Sequence, residues 1–230
     1  MNTVRQSTIC SAALATMLAA VPAASAGILF DFEDQDQTGF NAGALSSLIM
    51  ESGGLTVTIT RPGSPNQFDI YDLNDLENDT LPASWGSRSI SPWFSNEGTA
   101  LVANFDQPVR SVSIDMGDVG GDNDNLLIQA FTGSDASGSL IDLAELTLPG
   151  GDDLNDPFTF THATLSVEAS TAQIRSVRFI GGTDSFETPF GTFSVPNSVY
   201  YDNIAVVVPE PASLALMALA GLGLLRRKTA

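Results

Sequence analysis

The chain has 230 residues, with 27 acidic side chains against 9 basic ones, a net charge of −18, one cysteine and one histidine. That balance argues against nucleic acid and anionic lipid as partners, since both demand cationic patches. A single cysteine and a single histidine exclude disulfide frameworks, Cys/His zinc centres and HExxH metalloenzymes.

Residues 1–26 open on a short polar stretch with Arg5, run through apolar Ile9 to Val21, and end on Ala24-Ser25-Ala26. A charged start, an apolar centre and a small-x-small site in that order read as a secretory signal helix, cleaved between Ala26 and Gly27. Cys10 lies inside it, so the mature chain is expected to carry no thiol.

From 27 to 208 the dominant period is two. The segments "LTVTITR" (55–61), "VRSVSID" (109–115), "TLSVEA" (164–169) and "IRSVRFI" (174–180) alternate apolar with polar residues. "LLIQAFT" and "SVYYDNIAVVV" are rich in β-branched and aromatic side chains, and glycine, proline and aspartate clusters separate the segments. About ten short strands with regular turns predict one all-β domain, an antiparallel β-sandwich of jelly-roll type. The alternation predicts that Phe30, Phe32, Ile114, Phe131, Phe179, Ile204 and Val206 are buried.

The polar region Pro62–Gly98 reads as loops with one strand. It holds Trp85 and Trp93, whose rings either stack on sugars or cap the end of the core. All but one of the carboxylates fall between 27 and 208, beside five arginines and no lysine. They are densest in "DMGDVGGDNDNL", where Asp115, Asp118, Asp122 and Asp124 offer hard oxygen ligands on a glycine-rich loop. The loop departs from the EF-hand pattern, because Leu126 stands where the bidentate glutamate belongs, and a solvated hairpin is the alternative. His162 falls in a predicted strand as an outer-face residue. No Gly-x-Ser-x-Gly elbow is present, and a pair of carboxylates acting on glycans is the enzymatic alternative.

The tail, 209–230, begins with Pro209-Glu210-Pro211, continues uncharged from Ala212 to Leu225, and closes on Arg226, Arg227 and Lys228. The apolar run is shorter than the ~20 residues of a full span. Apolar Ile204–Val208 extends it, and the cations set its orientation, with the domain outside and the stub inside. An apolar anchoring helix is predicted here.

Those three parts together resemble the PEP-CTERM sorting signal of exported proteins of Gram-negative bacteria. The resemblance implies recognition by exosortase, a membrane cysteine transpeptidase that cuts near the Pro-Glu-Pro. It implies transient anchorage in the inner membrane through the C-terminal helix, then transfer to the cell surface or release. Association with exopolysaccharide and biofilm matrix follows by analogy.

A second resemblance sits at the two ends of the domain. "ILFDFEDQDQTGF" and "SVYYDNIAVV" look like the first and last strands of galactose-binding-like jelly rolls, the fold of many carbohydrate-binding modules. It implies that these strands lie close together. It also implies a structural calcium ion near a Phe-Glu and an Asp before the last strand, here Glu33 and Asp202. Strand parity independently turns Asp34 and Asp202 inward, where a carboxylate needs a partner or a metal. The sequence therefore points to a non-catalytic surface or matrix protein with polysaccharide as candidate ligand. A secreted glycan hydrolase and a purely structural surface protein are the alternatives.

Overall fold

Alternation decides which face each strand buries. In the segment Leu55–Thr60, Leu55, Val57 and Ile59 are fully buried and the threonines between them are half-buried, as the pleat of a strand requires. The same logic recurs through this computed structural model. It describes residues 25–38, 45–62, 68–76, 81–92, 100–119, 123–149, 160–181, 183–188, 191–196 and 199–209.

Among the described residues fourteen strands follow in chain order: β1 (Ser25–Phe30), β2 (Ser47–Ser52), β3 (Leu55–Thr60), β4 (Asp69–Asp72), β5 (Arg88–Ser91), β6 (Leu101–Val109), β7 (Ser111–Val119), β8 (Asp124–Phe131), β9 (Leu140–Leu148), β10 (Phe160–Glu168), β11 (Ile174–Gly181), β12 (Thr183–Thr188), β13 (Gly191–Pro196) and β14 (Tyr200–Pro209). The only helical turns among the described residues are two short 3-10 segments, Leu73–Leu76 and Ala83–Trp85.

The strands form two six-stranded antiparallel sheets. One runs β10-β7-β14-β5-β4, with β1 also paired to β14; the other runs β2-β3-β6-β11-β8-β9. Strands β12 and β13 form a separate hairpin. The first and last strands of the sandwich are therefore neighbours, as expected. All seven residues named from the alternation are buried: Phe30, Phe32, Ile114, Phe179, Ile204 and Val206 lie in the core between the sheets, whereas Phe131 lies outside that cluster, with the Arg178 guanidinium over its ring. A second cluster, Tyr71, Leu73, Trp85, Phe160 and Tyr200, is buried as well.

The region 62–98 is more regular than its composition suggests. It contributes two strands, β4 and β5, paired antiparallel through Ile70 and Ile90. Four residues apiece are too few for periodicity to stand out against flanking polar chain.

The compact unit spans Ala26–Val208. The helices expected over 1–26 and 209–230 lie outside the described residues, apart from Ser25 and Ala26, which begin β1, and Pro209, which ends β14. Among the described residues no helix is long and apolar enough to cross a membrane.

Candidate functional site

The start of β14 departs from regular pairing. Asp202 lies opposite Asp115 on β7, and the register then shifts before Ala205 meets Ser113. Asn203 takes the extra step with φ of 49°, a left-handed conformation that asparagine tolerates better than most residues. Its side-chain amide donates to the Ser84 carbonyl at 2.7 Å and to Asp115 Oδ2 at 3.0 Å. Asp115 Oδ1 accepts from the Thr164 hydroxyl on β10. The bulge thus ties β14 to β7 and to the Ala83–Trp85 turn.

Asp202 points into the protein with 1 % of its surface exposed. Its Oδ1 accepts from the Asn203 amide at 2.7 Å. Burial, opposed by that hydrogen bond and reinforced by the charges of Glu33, Asp115 and Asp31, pushes its carboxyl up to about 8. Desolvation and like charge both favour the neutral acid.

Glu33 behaves in the opposite way. It leaves the turn after β1 and lies over Gly86, where its carboxylate accepts from the Ser87 amide (2.7 Å), the Ser87 hydroxyl (2.7 Å) and the Arg88 amide (2.8 Å). Burial works against ionisation, but these donors and the Arg88 charge together hold Glu33 below its usual value. Gly86 has φ of +60°, a backbone conformation that favours glycine, and a Cβ there would push the Glu33 carboxylate off its donors. Arg88 in turn pairs with Asp72 across β4 and β5.

The inward reading holds for Asp202 and fails for Asp34. Strand β1 stops at Phe30, and Gln35 closes a turn onto the Phe32 carbonyl at 3.0 Å. Parity no longer applies beyond that point, and Asp34 is exposed.

The three described aspartates of the 115–126 segment, Asp115, Asp118 and Asp124, do not share one loop. Strand β7 continues through Asp118 and β8 begins at Asp124. Asp115 is half-buried towards β10 and the bulge, whereas Asp118 and Asp124 are buried at 2 % and 1 % exposure. Their charges act on Tyr200 and Tyr201 respectively, raising each phenol further above a value already lifted by burial. Asp122 lies outside the described residues.

The structure corrects the stacking role considered for Trp85. That ring is 1 % exposed and packs edge-on against Phe160 at 4.8 Å, so it caps the core instead of facing a sugar. Trp93 lies outside the described residues, as do Ala24, Glu210, Pro211, Arg226, Arg227 and Lys228. His162 is exposed on β10, with Trp85 and Phe160 as ring neighbours.

The chemistry of the Asp202 end, hard oxygens with excess negative charge, suits calcium. Its geometry does not present a ready cage. Both Glu33 oxygens, both Asp115 oxygens and Asp202 Oδ1 already accept from protein donors. Among the described residues no three carboxylate, histidine or cysteine side chains converge to hold a metal. The cue to the Asn203 bridge in the sequence is an asparagine that follows Asp202 at the start of the apolar run Ile204–Val208.

Residues 207–228 match the PEP-CTERM protein-sorting motif, and the chain carries that signal. No curated protein matches the chain. Among solved structures, the K2 cleaved adhesin domain of Lys-gingipain superposes with a TM-score of 0.50 at 14 % identity, covering 79 % of this chain and 97 % of that one. A DUF4465 family protein from Bacteroides caccae gives 0.45 at 14 % identity, with 80 % and 100 % covered. CsCBM6-3 from Clostridium stercorarium, in complex with cellobiose, gives 0.31 at 14 % identity, with 79 % and 93 % covered. The likeness to the adhesin domain is one of fold.

Proposed function

We propose that this chain is an exported surface protein, processed by exosortase, whose β-sandwich binds rather than catalyses. The observation that carries the sorting part is the motif over 207–228, with Pro209-Glu210-Pro211 at one end and Arg226, Arg227 and Lys228 at the other. The signal at 1–26 brings the chain to the membrane, the tail holds it there, and exosortase transfers the domain to the surface. Fold kinship with an adhesin domain supports a binding role, and the ligand in this reading is a polysaccharide of the surface matrix.

Replacing Pro209-Glu210-Pro211 by three alanines should block processing in the native host without blocking export. Maturation at the normal rate would overturn the sorting reading. A glycan array on the mature domain, read alongside sugar release, tests the binding part. Binding without turnover supports it, and turnover shows a hydrolase instead.

The reading includes a structural calcium ion at the Asp202 end, supported by the excess of carboxylate there. Asp202 and Glu33 are its proposed ligands, and Glu33 would exchange a protein donor for the ion. Calcium that binds only the folded state raises the melting temperature by mass action. A melting curve indifferent to calcium and to chelator removes the ion from the proposal.

A further inference from the structure

The sorting motif and the folded domain share residues. The motif begins at Val207, whereas β14 continues to Pro209. Val207 pairs with Ser111, and its carbonyl accepts from the Arg110 amide at 2.8 Å. Val206 is fully buried opposite Val112, and Val208 packs against the core. Strand β14 is an interior strand, bonded to β7 and also paired with β1. No spacer separates this ladder from the Pro-Glu-Pro.

A peptidase or transpeptidase takes its substrate extended, reading backbone N–H and C=O groups much as an added strand does. Around Val207 those groups are already engaged in the sheet. Pro209 has no N–H and cannot donate to a ladder, so the tripeptide begins where the strand's donors end. Cleavage of a folded segment tracks the population of its locally opened form.

Resting on the sorting reading above, we propose that the end of β14 gates removal of the tail. The processing enzyme obtains its full binding stretch only when the rungs at Val206 and Val207 open and Val208 leaves the core, and it breaks the chain on the C-terminal side of Val208. One peptide bond breaks there. Its carbonyl carbon passes to water or to an acceptor amine, and its nitrogen takes up the acceptor's proton and leaves as the amino terminus of the tail. The mature domain keeps every apolar residue of β14, while the precursor is processed at a rate set by the fraying of that strand.

The test follows precursor and mature chains over time in the native host. One variant carries, between Val208 and Pro209, a Gly-Ser spacer of about six residues followed by a second copy of Val206-Val207-Val208, so that the whole motif follows free coil. A second, Val112→Ala, loosens the end of β14 from its β7 partner and leaves the motif untouched. Processing several-fold faster in either variant, with the domain still folded by circular dichroism, supports the gate. Rates equal to or below wild type in both overturn it. So does a mature C-terminus that mass spectrometry places before Val208. The triple-alanine variant separates the two ideas: if it is blocked while the spacer and Val112→Ala leave the rate unchanged, the sorting reading stands and the gate falls.

Discussion

At the scale of single residues, the two carboxylates nearest the bulge respond to pH in separate windows. The Asp202 carboxyl rises from 3.8 to about 8 on folding, so the folded state holds a proton that the unfolded chain gives up. Its contribution is full below about pH 4 and is lost as pH rises towards 8. At about 1.4 kcal/mol per unit, the loss amounts to several kcal/mol. Glu33 is shifted downward, so its contribution is full above its unfolded value and is lost as pH falls through the folded one. Melting followed from pH 5 to 9 should show wild type losing stability towards the alkaline end. Asp202→Asn, which keeps the shape and carries no charge, should melt a little above wild type at pH 5 and well above it at pH 9. Parallel curves would show that Asp202 is ionised throughout. Glu33→Ala hands two backbone amides and a hydroxyl to water, and should cost about 1 kcal/mol at neutral pH by denaturant titration.

At the scale of elements, the bulge in β14 and the cap under Trp85 hold the upper end of the sandwich. Asn203 does two things there, adopting a left-handed backbone and bridging Ser84 to Asp115. Glycine keeps the first and loses the second, while alanine loses both. Thermal stability should therefore fall in the order wild type, Asn203→Gly, Asn203→Ala, and equal melting temperatures would show that the bulge stands without its side chain. Removing the buried Trp85 ring should cost about 3–5 kcal/mol through the cavity it leaves. Sequence patterning reveals such elements unevenly. Alternation is visible along β3 and β7, which put small polar residues between apolar ones, and along β11, where Arg175 and Arg178 do the separating, and it turns Asp202 inward correctly. It misplaces Asp34, because the end of β1 is fixed by a turn and not by any breaker residue. It also leaves Trp85 between two roles, since only tertiary packing against Phe160 decides whether a loop aromatic faces inward.

At the scale of the whole molecule, charge and connectivity set the behaviour. The segment 27–208 carries all but one of the chain's carboxylates and no lysine, so self-repulsion opposes compaction, and monovalent salt should raise the melting temperature by screening it. A flat response between low and moderate salt would show the carboxylates too widely spaced to matter. The sandwich class was legible because period two is a property of composition and order. The ladder linking β1 to β14 has no such local trace, because it joins segments nearly the whole domain apart in sequence. That ladder bears on how the domain could be rewired. Gly27 and Val207 line the same shallow groove of about 250 Å³, so the polypeptide nearly closes on itself. A circular permutant that splices Val208 to Gly27 through a few glycines, and opens the chain in the β8–β9 turn around Ser137, would keep the strand order of both sheets. The native order of synthesis would then be a matter of how the protein is exported, and the sandwich would be topologically a ring that happens to be cut at its point of attachment.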